Sequence, residues 1–233
     1  RTIQAADLWR KMLTMLFETG HPWITFKDAC NVRSPQQHAG VVHSSNLCTE
    51  IVQYSSPDEI AVCNLASVAL PRFVGHTTDG RPYFDYAALG KTVRRAVKNM
   101  DSLIDVTSYP VPETRVSNLS HRPIGLGVQG LADVFLVFGC AWGDELSRSL
   151  NREIFECIQY HALMESCRLA KRLGRYKSYE TSPAARGVLQ MDWWPDAKYS
   201  GMFDWGTLRR DIQKWGLRNS LLTTVMPTAT TSH

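Results

Sequence analysis

The sequence predicts an α/β fold rich in helix. Three observations carry it. Apolar residues recur at helical spacing over long stretches, most clearly at 84–107 and 144–173. Short apolar runs of strand length, such as "WITF" (23–26) and "LRNSLLTTVM" (217–226), punctuate the helices. A glycine-rich stretch, "GLGVQG" (125–130), opens into a further helical run. Long helices interrupted by short strands fit an α/β architecture better than a helical bundle.

In chain order, residues 4–19 place Leu8, Met12, Leu13, Met15, Leu16 and Phe17 at helical spacing, and Gly20 and Pro22 stop the helix. "WITF" is a strand candidate, and 31–40, "NVRSPQQHAG", is a polar loop. Residues 41–54 read as extended, 55–59 as a turn, and 60–70 as either strand or short helix. The loop at 75–82 leads into an amphipathic helix over 84–107, which the two prolines of "SYPVPE" end. Residues 122–139 form a glycine-rich opening followed by a helix, and 144–173 a long helix with Gly174 as its C-cap. A short helix over 204–215 ends at Gly216, 217–226 is a strand, and "PTATTSH" is a polar turn. No repeat or low-complexity segment is present.

The 233 residues suffice for one large domain or two small ones. With 44% hydrophobic and 21% charged residues, disorder is excluded for the bulk of the chain. The net charge of +4 comes from scattered basic groups at Arg94–Lys98, Arg168–Lys177 and Arg209–Arg210, which read as solvated helix faces. A nucleic-acid-binding surface would concentrate them in one stripe. No apolar run of membrane-spanning length occurs, and the first residues lack a signal-peptide core. The N-terminus carries no initiator Met, so the chain reads as a piece of something longer. Six cysteines without any C-x-x-C pair argue against zinc and against a disulfide framework, and fit a reducing compartment.

Four groups of residues invite chemistry. "GLGVQG" matches G-x-G-x-x-G, but the preceding "SHRP" is not a strand, so close helix packing explains it better than nucleotide binding. Cys48 and His43 could be read as a protease dyad, yet nothing suggests an oxyanion hole. The strand over 217–226 runs into "MPTATTS", where Thr228, Thr230, Thr231 and Ser232 offer hydroxyls. A turn there that opens a helix, with Pro227 in its first turn, would bind phosphate through free backbone N–H groups. In "SSNLCTEI" (44–51), Asn46, Cys48 and Glu50 alternate, and in an extended chain they would share one face, with Leu47 and Thr49 on the other. By spacing alone a buried structural thiol is the favoured reading of Cys48.

Taken as an ordered set, "SNLCTEI", "AVCNLASVAL", "YPVPE", "HRPIGLGVQGLADVF", "GLRNSLL" and "MPTATTS" resemble the catalytic large subunit of class I ribonucleotide reductase, of the eukaryotic and viral type. The resemblance covers essentially the whole chain. It implies one partial catalytic barrel domain over 1–233, part of a ten-stranded α/β barrel with the Cys48 motif on a central finger loop. It implies that Cys48 forms a thiyl radical that removes the 3′ hydrogen of a ribonucleoside diphosphate. Glu50 takes the 3′-hydroxyl proton, and Asn46 holds the ribose hydroxyls and the departing oxygen. Cys63 matches one of two cysteines that reduce the ribose, with its partner expected upstream of Arg1. Asn46, Leu47, Cys48, Thr49 and Glu50 line the substrate on one side, and Pro227, Thr228, Ala229, Thr230 and Thr231 hold its phosphates.

Cys30, Cys140, Cys157 and Cys167 match no catalytic position and default to structural thiols. The resemblance further implies no metal in this chain, a radical supplied by a metal-containing small subunit, and thioredoxin or glutaredoxin as external reductant. ATP and dNTP effectors act at sites outside the segment, and the full-length large subunit is a homodimer in the cytoplasm. Neither nucleic acid nor membrane is an expected partner. The nucleotide-sensing region, the radical-relaying tyrosines and the tail cysteines of the family have no match here, so the isolated 233 residues are expected not to turn over. Two alternatives are a non-catalytic nucleotide- or partner-binding relative, and one piece of a split subunit.

Overall fold

The computed structural model describes residues 2–231. The core is built on two long helices. α3 (Tyr86–Val106) buries Leu89, Val93, Val97, Met100 and Ile104, a stripe at spacings of three and four. It lies against α6 (Glu145–Leu173), whose Leu150, Ile154, Cys157 and Ile158 are buried in the same cluster. Asp85 caps α3, accepting a hydrogen bond from the Ala88 N–H at 2.8 Å. α7 (Trp205–Trp215) packs on α6 through Leu208 and Ile212 and is capped by Asp204. Gly174 and Gly216 end α6 and α7, as their spacing predicts.

The sheet that positions the site is small. β1 (Leu65–Ala69) runs parallel to β4 (Gly125–Gln129), with Leu65 opposite Gly125 and Ala69 opposite Gln129. Of the 60–70 run, Leu65–Ala69 is therefore strand, 60–64 has no regular structure, and Leu70 opens a 3-10 turn that runs to Phe73. β2 (Val74–His76) and β3 (Pro82–Phe84) form a separate antiparallel hairpin. α1 (Ala5–Thr19) ends at Gly20 as expected, and all its residues lie outside the core. α4 (Pro112–His121) follows the proline break, and α5 (Leu131–Phe138) follows β4.

Four expectations need correction. "WITF" forms no strand: Trp23 and Phe26 are exposed, no neighbouring strand pairs with the segment, and the Phe26 carbonyl instead opens α2 (Lys27–Val32), which takes the first two residues of the expected loop. The 41–54 stretch pairs with no strand. Its neighbour is a side chain, Asn31, whose amide bonds both the N–H and the C=O of Val42 at 2.8 and 2.9 Å. "GLGVQG" is not a helix-packing element but β4 itself, buried over Gly125–Val128. The 217–226 segment runs parallel beside β4 but forms only one ladder bridge, Leu126 to Thr223. Its first half spends its N–H groups elsewhere: Arg218 on the Ser166 carbonyl, Asn219 on the Ser166 hydroxyl, Ser220 on the His121 carbonyl. Of the ten-stranded barrel to which the chain is expected to contribute a part, the described residues form a parallel unit of β1, β4 and the 217–226 segment, and no closed barrel is found among them.

The third segment comes close because β4 lacks side chains where it passes. A Cβ on Gly127 would lie 2.6 Å from the Thr224 carbonyl oxygen and would collide with Met226 Sδ. One on Gly125 would lie 2.7 Å from both Leu65 Cδ2 and Thr224 Cγ2. The approach is fastened by hydrogen bonds from Ile124 N to Leu221 O (3.0 Å), Leu126 N to Leu222 O (2.9 Å) and Thr224 N to Leu126 O (3.2 Å).

Candidate active site

The Asn46–Glu50 stretch is a tight turn, not the extended run its alternation suggests. The Thr49 N–H bonds the Asn46 carbonyl at 3.2 Å, and the Asn46 N–H bonds the Ile51 carbonyl at 3.3 Å. Thr49 sits at φ 65°, in the left-handed region that a β-branched residue seldom enters. The Asn46 side chain closes the loop. Its Oδ1 accepts from Ile51 N at 3.0 Å, and its Nδ2 donates to Glu50 Oε2 at 2.8 Å. Asn46 and Glu50 thus come together because the chain reverses. Leu47, 87% exposed, marks the tip, and Cys48 is a half-buried free thiol between the two polar side chains in sequence.

Both arms of this loop are held from outside. The Thr224 hydroxyl donates to the Glu50 carbonyl at 2.7 Å. Gln36, almost wholly buried, accepts from the Tyr54 N–H at 2.9 Å and donates to the Ser220 hydroxyl at 3.0 Å. Nothing in the sequence marks Gln36 or Thr224 as site residues. The only available signal was the Gly125/Gly127 pair, which announces that another chain segment passes close by.

Glu50 lines a cavity of about 280 Å³ together with Leu65, Ala66 and Ser67 of β1. The opposite wall is the turn Pro227, Thr228, Ala229, Thr230 and Thr231, with Met226 beside it. The loop carboxylate and the C-terminal turn are therefore two sides of one space, at the carboxyl end of the 217–226 segment. Thr228 is left-handed at φ 48°, and the Thr231 hydroxyl donates to Gln129 Oε1 at 3.1 Å, tying the turn to β4. Residues 229–231 form a turn and no helix begins at Pro227 within the described residues. Ser232 lies outside them.

Asn46, Leu47, Cys48 and Thr49 do not line that cavity; of the loop residues Glu50 alone reaches it. Cys63 is an exposed residue just before β1, yet its thiol is pushed above the ordinary range, first by partial burial and second by the Glu50 carboxylate. The fold thus brings Cys63 within electrostatic reach of Glu50 across thirteen positions of sequence. Cys157 and Cys167 are buried, and their thiols are raised to about 12 and about 11, chiefly by burial. Cys30 and Cys140 are half-buried. No group of three or more His, Cys, Asp or Glu side chains is arranged to hold a metal ion among the described residues, and no helix there is long and apolar enough to cross a membrane.

This geometry can be set beside known proteins. The family model described as "Ribonucleotide reductase, barrel domain" matches residues 1–233. The large chain 2 of ribonucleoside-diphosphate reductase from Saccharomyces cerevisiae is 51% identical over all of this chain and 27% of its own length. The large subunit from Arabidopsis thaliana is 48% identical (100% of this chain, 30% of its own), and that of Acanthamoeba polyphaga mimivirus 49% (100% and 26%). The chain spans less than a third of the length of these relatives. Matched from its first residue to its last by the barrel-domain model, and about half identical to these large subunits throughout, the chain belongs to the ribonucleotide reductase family.

Proposed function

We propose that this chain is the catalytic segment of a ribonucleoside-diphosphate reductase large subunit. One observation supports it most: the turn carrying Cys48 brings Asn46 and Glu50 into hydrogen-bond contact, and Glu50 faces the Pro227–Thr231 turn across a single cavity. A ribonucleoside diphosphate lies in that cavity with its phosphates on the Pro227–Thr231 turn, where Thr228, Ala229, Thr230 and Thr231 carry backbone N–H groups, and its ribose toward Glu50 and Cys48.

The Cys48 thiyl radical takes the 3′ hydrogen atom, giving an S–H bond and a carbon radical. Glu50 accepts the 3′-hydroxyl proton, for which a carboxylate within hydrogen-bond reach is required. Asn46 exchanges its bond to Glu50 for the ribose hydroxyls. Leu47 and Thr49, which lie off the cavity, would contact substrate only through movement of the loop. The 2′ oxygen leaves as water while Cys63 and a second thiol are oxidised to a disulfide, and Cys48 returns its hydrogen atom to the 3′ carbon. Cys63's high thiol pKa keeps it protonated, as a donor of hydrogen must be.

The wider assembly belongs to the same proposal. The radical comes from a metal-containing small subunit, thioredoxin or glutaredoxin reduces the disulfide, and ATP and dNTP effectors bind outside residues 1–233. The segment forms part of a ten-stranded barrel with the 46–50 turn as its finger, in a cytoplasmic homodimer of full-length subunits.

The test is Cys48→Ser in the full-length large subunit, assayed with its small subunit. Loss of reduction by at least about 10³-fold with substrate binding retained is expected. Turnover at the parent's rate would refute the role of Cys48. A parent protein that binds nucleotide but never reduces it would favour a binding relative.

A further inference from the structure

We infer that Thr224 is a positioning residue: its hydroxyl fixes the Glu50 main chain, and with it the loop carboxylate, at a set distance from the Pro227–Thr231 turn. The inference rests on the reading of Glu50 as the proton acceptor.

Three features combine. Thr224 Oγ1 donates to the Glu50 carbonyl oxygen at 2.7 Å, a contact between residues 174 positions apart. The same residue's N–H is bound to Leu126 O at 3.2 Å, so its backbone is anchored to β4. Its methyl group occupies the space over Gly125, 2.7 Å from where a Cβ would stand. A β-branched side chain has few χ1 options. With the methyl seated over the glycine, the hydroxyl is left facing the loop.

Thr224 also stands three residues before Pro227, so the anchoring residue and the start of the turn are separated by at most about 11 Å of chain. One short stretch of backbone therefore sets both ends of the cavity. Serine would keep the donor and lose the seated methyl. Valine would keep the shape and leave the Glu50 carbonyl without its partner.

The test compares Thr224→Val and Thr224→Ser in the full-length large subunit with its small subunit. T224V should lower kcat about tenfold with KM for the nucleoside diphosphate changed less than about twofold, and T224S should recover most of kcat. Hydrogen exchange of the 46–52 amides should be about fivefold faster in T224V and near the parent's in T224S. Parent kinetics and exchange in T224V, or equal losses in both variants, would overturn the inference. If the parent lacks reductase activity, the mechanism of the preceding subsection fails, while the exchange comparison still decides whether Thr224 anchors the loop.

Discussion

Replacing Gly127 by alanine tests the close approach that holds the site together. The added Cβ would stand 2.6 Å from the Thr224 carbonyl oxygen and 3.1 Å from Met226 Cε. The methionine is flexible and can swing aside. The carbonyl is backbone and cannot, so the 224–226 stretch must retreat by about 0.8 Å to reach ordinary contact. That lengthens the 3.2 Å bond from Thr224 N to Leu126 O past any useful range. Overpacking of about 1–3 kcal/mol and one lost hydrogen bond of about 1 kcal/mol are offset by under 1 kcal/mol from the stiffer unfolded chain. The net loss is roughly 1–4 kcal/mol. The turn beyond Met226 moves with the backbone, so kcat/KM should fall about 10²-fold. Urea denaturation followed by tryptophan fluorescence, and steady-state kinetics of the full-length subunit, measure both. Gly139→Ala is the control: nothing lies within 4 Å of its Cβ, and its left-handed φ of 65° costs only about 1 kcal/mol with no effect on turnover. A G127A protein with the parent's stability and kcat/KM would refute the close-packing reasoning.

Three further outcomes are expected. Glu50→Gln removes the negative charge that helps hold the Cys63 thiol up, so iodoacetamide should alkylate Cys63 about two- to threefold faster at pH 7.5, read by peptide mass spectrometry. His161 is held neutral down to about 4, by burial first and by Arg94 second, so below pH 6.5 the unfolded chain binds a proton that the native one refuses. Stability should therefore fall as pH drops from 6.5 toward 4, by roughly 1 kcal/mol at pH 5 once solvent screening of this half-buried ring is allowed for, and His161→Gln should flatten that slope in urea titrations. Asp101, 1% exposed, accepts from Arg122 Nε at 2.8 Å and Asn219 Nδ2 at 3.0 Å. Asp101→Ala leaves Arg122 paired with Asp105 (2.7 and 2.9 Å) but strips Arg122 Nε and Asn219 Nδ2 of their buried acceptor, and should cost about 2–3 kcal/mol in the same titrations.

The long helices were legible because their cores repeat at three and four residues and their ends carry Gly, Pro or Asp. Leu89, Val93, Val97 and Met100 sit where the pattern places them. The site was legible differently. Asn46 and Glu50 do meet, but through a turn closed by an asparagine side chain, which alternation alone cannot distinguish from extension. "GLGVQG" misled because glycines that admit a neighbouring strand look like glycines that admit a helix or a phosphate. The 217–226 run has strand composition, yet Ser166 and His121 compete for its N–H groups, and partners more than fifty residues distant leave no local trace. Gln36 is the extreme case, a surface-type residue turned into a buried connector by Ser220 and Tyr54.

The distance in sequence between the loop and its anchors also governs how the protein is made. Thr224 and Ser220 follow their partners Glu50 and Gln36 by 174 and 184 residues. At about 5–20 residues per second, a ribosome delivers those anchors roughly ten to thirty-five seconds after the loop has emerged. For that interval Cys48 and Cys63 travel on an unfastened nascent chain, while α3 and α6, whose contacts are nearer in sequence, can already pair. The Cys48 thiol, half-buried once the loop is fastened, is thus open to solvent until its anchors arrive, and newly made chains should be the population of this protein in which it is most readily oxidised.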